Sequence, residues 1–107
     1  MSVPEISVDE LAVRLEAGAF LLDVRQPDEY EWAHVPGACL IPLAEVPDRI
    51  GELPAGEELV VICRSGARSL AAAEFLDQQQ IRAVNVAGGT LAWIESGREV
   101  VTGPGAT

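Results

Sequence analysis

Apolar residues in this chain come in short runs separated by polar stretches and turn residues. The runs at 20–24, 38–41, 59–62 and 83–86 are brief and partly β-branched, which predicts buried strands of a parallel sheet. Helical spacing fills the gaps between them. Ser7-Val8-Asp9-Glu10 has the form of a capping box, and Leu11, Val13 and Leu15 give an apolar side to a helix ending near Gly18. Pro27 followed by Asp28, Glu29, Tyr30, Glu31 and Trp32 suits a short helix, with proline in its first turn and acids at its positive end. Residues 42–50 predict another, interrupted by Pro47. Residues 69–79 carry the strongest helix pattern, with Leu70, Ala73, Phe75 and Leu76 available to a core and Gln78-Gln79-Gln80 as its exposed end. Gly88-Gly89 turns the chain into a last helix through Thr90 to Ile94, closed by Gly97, and Trp93 is assigned to packing. Leu53-Pro54-Ala55-Gly56 marks a surface turn, and Gly103-Pro104-Gly105-Ala106-Thr107 reads as a frayed end without function.

Strands alternating with helices argue for an α/β fold, a mostly parallel sheet covered on both faces. With 107 residues there is room for one core and not two, so residues 1–107 are expected to form a single domain. Ligands in such folds bind beyond the carboxyl ends of the strands. The junction after residues 59–62, Cys63-Arg64-Ser65-Gly66-Ala67-Arg68-Ser69, joins a strand to a helix at such an end. Several backbone N–H groups converge in a junction of this kind, and the start of the helix adds partial positive charge. Arg64 and Arg68 bring guanidinium groups, Ser65 and Ser69 hydroxyls, and Gly66 a backbone free to adopt what other residues resist. These donors suit an anion, and they favour the thiolate form of Cys63.

Charge and cysteine usage narrow the chemistry. The net charge is −10 and every basic side chain is arginine, which argues against nucleic acid as a partner. Residues 1–62 hold 13 acids and 3 arginines, whereas residues 63–107 hold 4 of each, so the half that contains the loop is neutral. No apolar run approaches the roughly 20 residues needed to span a bilayer. The first residues, with Glu5 and Asp9 and no basic region, do not resemble a signal peptide, so the cytoplasm is the expected compartment. Cys39 and Cys63 form no C-x-x-C motif and have one histidine to join them, so neither a metal site nor a redox dithiol is expected. Cys39, beside Leu40 and Ile41, reads as a small core residue.

The loop resembles the active-site loop of the rhodanese family, which transfers sulfane sulfur through a cysteine persulfide. Two further blocks are similar to that family's signatures: Leu21-Leu22-Asp23-Val24-Arg25 with Pro27, Glu29 and His34-Val35-Pro36-Gly37-Ala38, and Asn85-Val86-Ala87-Gly88-Gly89 with Trp93. The resemblance implies a rhodanese-like α/β fold with about five short strands and helices on both faces. It implies Cys63 as the catalytic residue, Arg64, Ser65, Gly66, Ala67, Arg68 and Ser69 as the substrate-binding loop, and no metal or cofactor. The implied donor is thiosulfate or a similar small anion; the acceptor is cyanide, a thiol or a thioredoxin-like protein. His34 then belongs to the framework, and Asp23 with Arg25 reads as an ion-paired scaffold below the site, a substrate contact by Arg25 being the minor alternative.

A magnitude shows what the loop must contribute. Lowering a thiol pKa from about 8.5 to about 6 raises the thiolate fraction at pH 7 roughly 30-fold, and a nucleophilicity slope near 0.45 gives back about 13-fold. Most acceleration must therefore come from holding the donor and stabilising charge on the leaving group, a task expected of Arg68 in particular. Two rivals stand beside sulfur transfer. Cysteine phosphatases cradle phosphate or arsenate in a C-x5-R loop, but Cys63 and Arg68 enclose only four residues. A sulfur-carrier or protein-interaction module with little thiosulfate activity is the other.

Overall fold

In the computed structural model, which describes residues 3–107, the elements run β1 (Glu5–Ile6), α1 (Val8–Glu16), β2 (Phe20–Asp23), α2 (Pro27–Trp32), β3 (Cys39–Leu40), a 3-10 segment (Leu43–Glu52), β4 (Leu59–Ile62), α3 (Ala67–Gln78), β5 (Ala83–Val86) and α4 (Gly89–Glu95). The five strands are all parallel, in the order β1-β5-β4-β2-β3. β4 is central, with Asp23 of β2 beside Ile62 and Asn85 of β5 beside Val61.

Strict alternation along the strands divides the core in two. Leu21, Val60, Ile62, Val84 and Val86 pack with Leu11, Tyr30 and Trp93 from α1, α2 and α4. Leu22, Leu59, Val61 and Ala83 face the other way, against Val46 of the 3-10 segment and Ala72, Ala73 and Leu76 of α3. Because both faces are covered, the strands can be apolar at almost every position. Cys63 and Asn85 share the second face with α3, which is why they come near one another.

The sequence pattern missed β1, a strand of two residues, and placed the start of α3 two residues late. Two other expectations need correcting. Cys39 is exposed, not core: β3 is an edge strand whose neighbours Ala38 and Ile41 take the inward positions. The end of the chain is not frayed. His34 and Val101 exchange backbone hydrogen bonds of 2.9 and 2.8 Å, Gly103 N–H donates to Glu31 O, and Gly37 N–H donates to Ala106 O. The tail supplies partners for backbone groups around the His34–Gly37 turn, a need invisible in its glycine-rich composition.

The framework residues are satisfied within the protein. His34 is fully buried, stacks on Tyr30 with ring centroids 3.6 Å apart, and meets the carbonyls of Tyr30 and Gly105 with its two nitrogens at 2.7 and 2.8 Å. Trp93 is buried and donates Nε1–H to Glu99 O.

Candidate active site

β4 ends at Ile62 and delivers Cys63 to the carboxyl edge of the sheet; four residues later the chain has turned into α3. The turn depends on Gly66, whose φ of 116° lies in the region that side chains disfavour. From there the Gly66 N–H points back at Cys63 Sγ at 3.1 Å, and in the first turn of α3 Ser69 Oγ lies 3.2 Å from the same sulfur. Burial pushes the Cys63 thiol up. The Ser69 hydroxyl and the backbone N–H groups of Ser69, Gly66 and Ser65 outweigh it and hold the thiol below its ordinary value. Both cysteines are free.

The far side of the loop is held by α4. Thr90 donates its N–H and its hydroxyl to Cys63 O at 2.9 and 3.0 Å, and Leu91 N–H donates to Arg64 O at 3.1 Å. Two carbonyls of the loop are thereby fixed on α4, away from the sulfur. The approach requires Gly89, because a Cβ there would lie 2.5 Å from Cys63 O and 2.6 Å from Arg64 O. On the other side Asn85 donates Nδ2–H to Gly66 O at 3.2 Å and to Glu5 Oε2 at 2.9 Å, and its Oδ1 accepts from the Ser69 hydroxyl.

The two loop arginines part company. Arg64 is exposed at the rim of a cavity of about 340 Å³ between α2 and α4, walled by Trp32, Thr90, Leu91 and Asp28. Among the described residues it has no carboxylate partner. Arg68 instead turns both Nη atoms onto the carboxylate of Glu29, at 2.7 and 2.8 Å, and joins α3 to α2. That pairing, with the Gln26 N–H, holds Glu29 at about 2 against the usual 4.5. Beneath the site Arg25 meets both oxygens of Asp23 and donates further to Glu29 O and Ala33 O. Four of its five N–H groups are thereby used on the framework.

The structure thus gathers Cys63, Ser65, Gly66 and Ser69 around one sulfur, puts Ala67 at the start of α3, leaves Arg64 at the mouth, and commits Arg68 to an ion pair. Sequence reasoning placed Glu29, Asn85 and Gly89 within signature blocks and Gly89 and Thr90 at a helix start, but assigned none of the four a contact with the loop. Asn85 did carry a signal, as the one polar side chain in the buried run Ala83–Val86. Glu29 stood in the amino-terminal signature block, but nothing in the sequence tied it to Arg68.

Comparison with known proteins agrees with this architecture. The family described as "Rhodanese-like domain" matches residues 7–96. The chain is 38% identical over 95 residues to the putative sulfurtransferase YtwF of Bacillus subtilis, covering 87% of this chain and 92% of that one. It is 37% identical over 106 residues to a sulfurtransferase of Allochromatium vinosum, covering 96% and 99%. Among solved structures, a rhodanese-related protein from Thermoplasma volcanium superposes with a TM-score of 0.86 at 36% identity, over 92% of this chain and 97% of that one. A sheet of this order with a cysteine loop at the end of its central strand, matched along nearly its whole length, places the chain in the rhodanese-like sulfurtransferase family.

Proposed function

We propose that the protein transfers sulfane sulfur from thiosulfate or a similar anionic donor to a thiophilic acceptor through a persulfide on Cys63. The observation that carries this reading is a single sulfur that accepts from the Gly66 N–H and faces the Ser69 hydroxyl at the end of the central strand. In the first step the Cys63 thiolate attacks the outer sulfur of thiosulfate; the S–S bond within the donor breaks, sulfite leaves with its electron pair, and a Cys63 persulfide anion remains. In the second step cyanide or a thiolate attacks the outer persulfide sulfur, and Cys63 returns as thiolate. Charge balances in both steps, and no outside oxidant or reductant is consumed.

The loop N–H groups stabilise negative charge on the sulfur, and Arg64 meets the anionic donor at the mouth. Arg68, with one N–H of each Nη held by Glu29, contributes field and rigidity. Steady-state assay with thiosulfate and cyanide, run beside an aryl phosphate, tests the proposal. Thiocyanate formation with no phosphate release is the expected outcome; phosphate release without thiocyanate would overturn it in favour of oxyanion ester chemistry.

A further inference from the structure

The Ser69 hydroxyl has one hydrogen and two acceptors. Its oxygen lies within hydrogen-bond distance of Asn85 Oδ1 and, on another side, 3.2 Å from Cys63 Sγ. The orientation of the Asn85 amide is fixed from behind. The Glu5 carboxylate and the Gly66 carbonyl are both pure acceptors at 2.9 and 3.2 Å, so they demand the NH2 group and leave Oδ1 facing Ser69. Asn85 and Ser69 are both buried, 1% and 0% exposed, so water does not readily supply a second donor to Asn85 Oδ1.

We propose that Asn85 is a positioning residue that competes with the Cys63 sulfur for the single hydrogen of Ser69, so that ionisation of Cys63 switches this hydrogen from Asn85 to the sulfur. In the thiol state the S–H turns to Ser69 Oγ and the Ser69 hydrogen goes to Asn85 Oδ1, leaving every group in the chain Cys63-Ser69-Asn85 paired. In the thiolate state the proton has left to solvent, the Ser69 O–H rotates to the sulfur, and Asn85 Oδ1 loses its donor. Asn85 thus opposes the thiolate that the loop amides favour, and the two together set the fraction ionised. The charged groups around this chain are Arg64 in the loop, Arg68 paired to Glu29, Arg25 paired to Asp23 on β2, and Glu5 on β1 behind the amide. None of them reaches Ser69 Oγ directly, so the competition is between two acceptors and not two charges.

The proposal requires Cys63 to ionise but not to carry sulfur, so it stands or falls separately from the transfer reaction. Thiolate ultraviolet absorbance against pH, measured in a Cys39→Ser background so that Cys63 alone is read, supplies the test. Asn85→Ala is expected to lower the midpoint by about 0.5–1 pH unit, the worth of one neutral hydrogen bond. Ser69→Ala is expected to raise the midpoint, and in that background Asn85→Ala should change nothing further. An unchanged midpoint in Asn85→Ala, or the same fall in both backgrounds, overturns the proposal, because the effect would then not pass through Ser69. A second measurement keeps Asn85 and Ser69 intact: the side-chain amide resonances of Asn85 should titrate with the Cys63 midpoint and lose most of that movement in Ser69→Ala. Resonances that stay still through the titration, or move equally without the hydroxyl, overturn it as well.

Discussion

A carboxylate with no solvent exposure, such as that of Asp23, persists because the Arg25 guanidinium meets both its oxygens from two residues along the same chain. Removing one partner of such a pair leaves the other buried and uncompensated, which costs about 3–5 kcal/mol. Asp23→Ala should therefore lower unfolding free energy by that amount in urea titration, far more than any change at exposed Asp28. The sulfur's own setting makes a different demand, since there the donors are small and fixed. Replacing Gly66, at φ 116°, by alanine strains the backbone that aims its N–H at Cys63 Sγ. Loss of sulfur-transfer rate at a pH where Cys63 is already ionised is the expected outcome, measured as single-turnover uptake from thiosulfate; an unchanged rate would mean that this N–H is dispensable.

At the scale of elements the site is a meeting of three helix ends on one strand end, and the ties between them are specific. The Arg68–Glu29 pair links α3 to α2. Glu29 is held at about 2, below its unfolded value, so its contribution to stability is fully present above about pH 4.5 and is lost as the pH falls toward 2. Both side chains are partly exposed, so about 1–2 kcal/mol is the expected size. The gap in urea midpoint between the wild type and Glu29→Gln should accordingly be widest at pH 5–7 and close by about pH 2; a gap that does not change with pH would contradict the pairing. The tie to α4 is steric as well as polar. Gly89→Ala would drive a Cβ to 2.5 Å from Cys63 O, so it should displace α4 and lower both stability and turnover together.

These ties also explain what could be read from the chain and what could not. β2, β4 and β5 were legible because each apolar run is short, bounded and buried on both faces, and β3 because Ala38 and Ile41 mark its inward side. β1 was not, since Glu5–Ile6 stands in no apolar run and takes its strand character only from pairing with Asn85 and Val86. Within the site, Cys63 and its loop were legible as contiguous sequence. The Glu29–Arg68 pair spans 39 residues and the Glu5–Asn85 bond 80, and nothing local announces either.

Over the whole molecule the net charge of −10 sets a field against any anionic donor. That field reaches about 30 Å at 0.01 M salt and about 8 Å at 0.15 M, whereas Arg64 and the loop amides act at contact. Raising ionic strength across this range should lower KM for thiosulfate and leave turnover at saturation nearly unchanged; a KM that rises with salt would mean that the local cations dominate. No helix among the described residues is long and apolar enough to cross a membrane.

If sulfur resides covalently on Cys63 between donor and acceptor, intact mass after mixing the protein with thiosulfate reads it. The mass should rise by one sulfur atom, return to the starting value on adding cyanide, and not rise at all in Cys63→Ser while still rising in Cys39→Ser. No gain in the wild type, or a gain that survives Cys63→Ser, would rule out a Cys63 persulfide.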